Sequence, residues 1–252
     1  MNTLHLERLK PRPSLAAGGR PLWVLCGRLA GPLWLVGTLL TAALQPEGEM
    51  LRYPLSYLGA RGLPYAALFN AGMALSGLLV LGFAWGLHRA LGPEAYGFWG
   101  PLLIGAFGLF ALLGTALLPC AANCAESGLV GQLHYVAAVL GAAGLFWGLA
   151  CLAPRFERLP AWRGRAALTH WAAHLCLVGF VLFDVTSAWP WTWLAGYRGA
   201  IQLGLFAVAF GWMSLASGEP FGSSFDYAQD MAQEGLREIA TRVFDKLRQS
   251  PR

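Results

Sequence analysis

The sequence predicts an all-α polytopic membrane protein: a bundle of six transmembrane helices with both termini cytoplasmic. Three observations predict it. The chain of 252 residues is 56% hydrophobic and only 12% charged, half the charge of an average soluble domain at about 25%. Six apolar stretches are each long enough to cross a hydrocarbon core about 30 Å thick, which takes roughly 20 residues. Lys and Arg gather in alternate connections, as topology signals do.

The six stretches run from about Leu22 to Leu44, Leu63 to Leu87, Phe98 to Leu118, Val130 to Leu152, Ala166 to Ala188 and Gly199 to Ser217. Polar and Pro-containing clusters separate them, among them Gln45 to Glu49, Gly92 to Glu94, Pro154 to Arg158, and Trp189 to Trp191. The layout divides the chain into an N-terminal arm (1–20), a membrane domain (21–217) and a tail (218–252). A cleaved signal peptide ending near Thr41 is the rival for the first stretch. That stretch is long for the role, and cleavage would leave five crossings.

Orientation follows from the basic residues. The arm, the second and fourth connections and the tail together hold 14 Lys and Arg, whereas the first, third and fifth connections hold 3: Arg52, Arg61 and Arg198. The larger group marks the cytoplasmic side. The eighteenth, Arg28, lies inside the first stretch and is read as snorkelling back to the interface. Because the basic residues flank apolar stretches, the net charge of +5 does not point to nucleic acid. Membrane lipid is the expected surrounding, and a plasma membrane the expected location.

Small residues recur four apart at Gly27 and Gly31, Gly82 and Gly86, and Gly144 and Gly148. Such pairs let helix backbones approach closely in lipid, and they are read as packing inside the bundle before a dimer seam. In the tail, Leu236, Ile239, Val243 and Leu247 have helical spacing with charges between. An amphipathic surface helix is one reading. The other is an extended reading frame, since Phe225 to Asp230 and Phe244 to Arg248 resemble peptides encoded by short palindromic DNA repeats.

Polar residues inside a bilayer are costly and so are the first candidates for function. Counting 1.5 Å per residue puts Asn70, His134, Asp184, Arg198 and Gln202 at similar depth in the outer layer, with Ser56 in the first outer connection. One reading is an outward-facing pocket that binds a small molecule or lipid head group. An enzymatic variant has Asp184 orienting His134 as general base, with Ser56 as nucleophile, in a membrane-embedded hydrolase or transferase. The structural alternative pairs Asp184 with Arg198 or His134 and leaves Asn70 and Gln202 as interhelical hydrogen-bond partners.

Cofactor chemistry finds less support. His170 and His174 share a helix face and His88 lies at the same end, but a zinc site needs further ligands and a haem needs facing His pairs. No cofactor or metal is therefore assigned. A small transporter is a further alternative, although no repeated halves of the kind transporters show are visible. Cys120 and Cys124 flank a short connection on the non-cytoplasmic side, where a disulfide is permitted. Cys26, Cys151 and Cys176 lie in apolar stretches as small packed side chains.

The segment Tyr53-Pro54-Leu55-Ser56-Tyr57-Leu58-Gly59 resembles the Ser-x-Leu-Gly signature of the domain-of-unknown-function 998 family. The resemblance continues at Pro64-Tyr65, Phe69-Asn70, Gly114, Leu118-Pro119-Cys120 and His134, and spans roughly residues 20–217. It implies a six-helix protein of bacterial or archaeal membranes and no particular reaction. It singles out Ser56, Gly59, Asn70, Pro119 and His134. The chain departs from the pattern at Ala121 and Ala122, where relatives often carry an acidic residue, so a mechanism needing that carboxylate is not supported.

Overall fold

A computed structural model of the chain describes residues 22–45, 50–92, 95–121, 128–189 and 193–218. The arm (1–20), nearly all of the tail with its expected amphipathic helix, and Cys124 lie outside the described residues. Among those described, the structure is helical throughout, and six helices are long and apolar enough to cross a membrane.

Helix α1 spans Leu22–Leu44 and α2 spans Ala66–Leu91. Helix α3 is continuous over three stretches, Ala95–Ala106, Phe107–Gly114 and Thr115–Leu117, the middle one π-helical. Helix α4 spans Leu129–Arg158, α5 spans Arg163–Ala188 and α6 spans Arg198–Ala216. Each helix packs on its neighbours in the chain, and α6 returns to α1, so the six form a closed ring. Two short 3-10 turns, Leu55–Gly59 and Trp193–Tyr197, sit at the end of the ring away from Leu22 and Ala216, here termed the far end.

The packing explains the small-residue pairs. A Cβ on Gly27 or Gly31 would run into Ser217 and Phe83, or into Phe210; one on Gly82 or Gly86 would run into Cys26 or Trp23. On α4, Gly144 and Gly148 lie against the α3 backbone at Leu103 and Ile104. All three pairs therefore serve close contact within one chain, where van der Waals packing holds lipid-embedded helices together. Aromatic rings fill the centre: Trp34 lies 4.7 Å from Phe206, and Phe83 meets Trp212 edge-on at 5.9 Å. Large apolar side chains such as Leu29, Val36, Leu78, Leu140 and Val178 point outward, as a lipid-facing surface requires.

Several boundaries differ by a few residues from the sequence reading, those of α4 and α2 most. Helix α4 continues through Pro154 to Arg158, although Pro removes a backbone N–H and crowds the preceding turn. Tertiary contacts hold this last stretch: Phe156 stacks on Trp162 at 4.6 Å, and Arg155 donates to the Leu91 carbonyl at 2.9 Å. Helix α2 begins three residues later than expected and runs to Leu91, because Leu63 and Pro64 belong to a turn that closes the far-end connection.

Histidine has a structural use in α3. Pro101 leaves the Gly97 carbonyl without its helical N–H partner. The Nδ1 of His88 lies 3.4 Å from that oxygen, and since a carbonyl only accepts, the ring donates.

Candidate functional site

The far-end connection folds inward as a plug, and three amide side chains bolt it in place. Gln45, just after α1, donates to the Leu58 carbonyl at 2.9 Å, Asn70 of α2 donates to the Gly59 carbonyl at 3.0 Å, and the Leu55 N–H donates to Gln202 Oε1 of α6 at 2.6 Å. Leu55 and Leu58 point into the core, each 2% exposed. A Cβ on Gly59 would collide with the Asn70 amide and the Phe69 ring, which explains glycine there. The plug is further held where the Arg61 N–H donates to the Cys120 carbonyl at 2.9 Å and Ala200 N–H to that of Leu51 at 3.0 Å.

Behind the plug lies a cavity of about 400 Å³, within the range of small-molecule sites. It is bounded by the plug and by α2, α3, α4, α5 and α6. Ser56, His134, Asp184, Arg198 and Gln202 all line it. The layer of polar residues expected at one depth thus converges on one cavity. Asn70 does not reach it; it lines a small adjoining recess together with Ser56 and His134. The rest of the cavity is apolar, with Phe69, Met73, Phe107, Val139 and Phe206 among its walls.

The hydrogen bonds assign these side chains individually. His134 Nδ1 lies 2.7 Å from the Leu118 carbonyl at the end of α3, so Nδ1–H donates and, in the neutral ring, Nε2 is the accepting nitrogen. The ring is oriented by this backbone carbonyl; it makes no hydrogen bond to Asp184. Arg198 donates from Nε and Nη2 to the Thr186 carbonyl, at 3.2 and 2.8 Å, tying the start of α6 to the end of α5. Asp184 has no hydrogen-bond or ion-pair partner among the described residues, Arg198 and His134 included. Neither the catalytic pairing with His134 nor the neutralising pair with Arg198 is formed.

Ser56 contributes its carbonyl oxygen to a contact of 3.5 Å with the Cys120 sulfur. Cys120 is disulfide-bonded, whereas Cys26, Cys151 and Cys176 are free thiols. The expected partner, Cys124, is outside the described residues.

Among the described residues no three or more His, Cys, Asp or Glu side chains gather as a metal site. His170 and His174 lie at the other end of the bundle. His170 Nε2 meets Glu157 at 3.0 Å, and His174 Nδ1 meets the His170 carbonyl at 2.7 Å.

Two features of the cavity escaped the sequence. One is the π-helical stretch of α3, which supplies Phe107 and Ala111 to the wall; such distortions frequently mark functional sites. Close backbone contacts flank it: a Cβ on Gly77 would lie 2.7 Å from the Gly108 carbonyl, and one on Gly141 would strike Ala111. The Thr115 hydroxyl takes up the Ala111 carbonyl at 2.6 Å. The other is Tyr135, 43% exposed, where the cavity wall meets the outer surface of α4. Its helical offset from His134 was the available signal.

The sequence profile of the family described as "Protein of unknown function (DUF998)" matches residues 28–220. No curated protein and no solved structure matches the chain.

Proposed function

This chain belongs to the DUF998 family, and we propose that it binds a small amphiphile, such as a lipid head group with part of its chain, in the far-end cavity. The observation that carries the reading is the two-part lining of that cavity. Asp184, Arg198, Gln202, His134 and Ser56 all reach the cavity, and the rest of its wall is largely aromatic and aliphatic. Polar groups on an otherwise apolar wall are how ligand pockets combine affinity with orientation. In this proposal the cavity faces the side away from the cytoplasm, both termini lie in the cytoplasm, and the host is the cell membrane. The asymmetry of basic residues between alternate connections supports that placement.

Native mass spectrometry of the protein released from membranes into a neutral detergent tests the reading. The native chain should retain a small amphiphilic adduct. Ala138→Trp, which fills the cavity from α4, should remove it. Identical spectra from the two proteins, or no adduct on either, would overturn it.

A further inference from the structure

The strongest feature left unexplained is a pair of opposite charges that share a cavity without meeting. Asp184 on α5 and Arg198 on α6 both line it. They form no ion pair, and Asp184 has no other partner among the described residues. Arg198 is anchored, but to the neutral carbonyl of Thr186, and no carboxylate among the described residues pairs with it. Charges left unpaired within a membrane protein's spanning helices are costly. Two neighbouring helices could relieve both costs by closing one ion pair, yet the guanidinium bonds the Thr186 carbonyl and no such pair forms.

The donors and the acceptor also lie on different helices. Arg198 and Gln202 are one turn apart on the same face of α6, and both reach the cavity. The oxygen of Gln202 is occupied by the Leu55 N–H, which leaves its NH2 group as the donor it can offer a ligand. Arg Nη1 and Gln Nε2 together make a donor pair suited to a phosphate or carboxylate. On the neighbouring helix α5, Asp184 is an acceptor when ionised, with Phe180 and Phe183 beside it in the lining. A carboxylate beside aromatic rings suits an ammonium group. The apolar remainder suits a hydrocarbon chain.

We infer that the cavity takes a zwitterionic amphiphile, its anionic group toward Arg198 and Gln202 and its ammonium group toward Asp184. The inference rests on the amphiphile-binding reading above and specifies the ligand's charge. One ligand with both charges satisfies both side chains at once; an anionic, cationic or neutral amphiphile leaves at least one of them uncompensated.

Calorimetric titration of the full chain in neutral maltoside micelles tests this with five probes. They are lysophosphatidylethanolamine, lysophosphatidylglycerol, dodecyltrimethylammonium, a neutral monoacylglycerol, and phosphoethanolamine without a chain. The zwitterionic lysolipid should bind at least about tenfold more tightly than the three other chain-bearing probes, as expected of one added charge-assisted contact. Asp184→Asn should weaken the zwitterion and the cation about tenfold and leave the anion unchanged, whereas Asp184→Glu should keep the preference. Ala138→Trp should weaken every chain-bearing probe.

Equal affinities for all chain-bearing probes, each lost in Ala138→Trp, would overturn the zwitterion and leave the amphiphile site standing. No binding of any chain-bearing probe would overturn both. Phosphoethanolamine binding as tightly as its lysolipid would support the bipolar head site while making the source a free zwitterion. The selectivity series uses the unaltered chain, so a variant that fails to fold does not decide the outcome.

Discussion

The imidazole of His134 donates its Nδ1–H to the carbonyl of Leu118 across 2.7 Å. Leu118 caps α3 immediately before Pro119, at a helix end, where carbonyls have no helical partner. The histidine therefore joins α4 to the end of α3 at the rim of the cavity, and the bond fixes which ring nitrogen faces elsewhere. His134→Ala should expose the cost of a half-buried carbonyl left unmade, about 1–3 kcal/mol, as a lower melting temperature in detergent. His134→Asn places an amide N–H near the position of Nδ1 and should recover much of that stability. If ligand binding needs the second ring nitrogen, the Asn variant will fold and still fail to bind, separating the two roles. Equal stability of the Ala variant and the native chain would remove the structural role.

The plug depends on Gly59 and Asn70 fitting together. Gly59→Ala should cost about 1–3 kcal/mol through overpacking against the Asn70 amide and Phe69. Asn70→Ala removes the donor to the Gly59 carbonyl and should cost a similar amount. The double variant should be less damaged than the sum, because removing the Asn70 amide vacates the space the new methyl group needs. Coupling of this kind is what a double-mutant cycle reads. Strict additivity in detergent unfolding would contradict the contact.

His88 and Pro101 form a second coupled pair. Pro101 frees the Gly97 carbonyl, and His88 approaches it at 3.4 Å. His88→Leu should destabilise the native chain. In a Pro101→Ala background the helix regains its own N–H for that carbonyl, so the same change should cost less. An undiminished cost would assign His88 to its ring contacts with Trp85 and Phe98 instead.

Much of this architecture was legible in the sequence, for physical reasons. Lipid forces every spanning segment to satisfy its own backbone, so six apolar stretches had to be six helices. The rise per residue placed Ser56, His134, Asp184, Arg198 and Gln202 near one depth, and those five meet in one cavity. What the sequence hid was their partners. Asn70, Gln202, His134 and Arg198 are all engaged by backbone groups of distant segments, and a backbone partner leaves no trace in residue identity. For that reason His134, expected to pair with Asp184, instead bonds the Leu118 carbonyl, and Asp184 has no partner among the described residues. The π-helical stretch of α3 was invisible because it arises where α2 and α4 press in at Gly77 and Gly141, contacts that only the assembled ring creates.

The sidedness of the cavity and the chemistry of its rim stand or fall together. Basic residues predict that Arg89 and Arg158 lie in the cytoplasm. A green fluorescent reporter fused after either should be bright, and alkaline phosphatase fused there inactive. The loop carrying Cys120 would then face an oxidising space, where a disulfide to Cys124 can persist. Alkylating the protein after unfolding without reductant should modify three of its five cysteines, Cys26, Cys151 and Cys176, and all five after reduction. Phosphatase activity after Arg89 and Arg158 would invert the layout. Five modified cysteines before reduction would remove the bridge beside Ser56, and with it the covalent support of the cavity wall at Cys120.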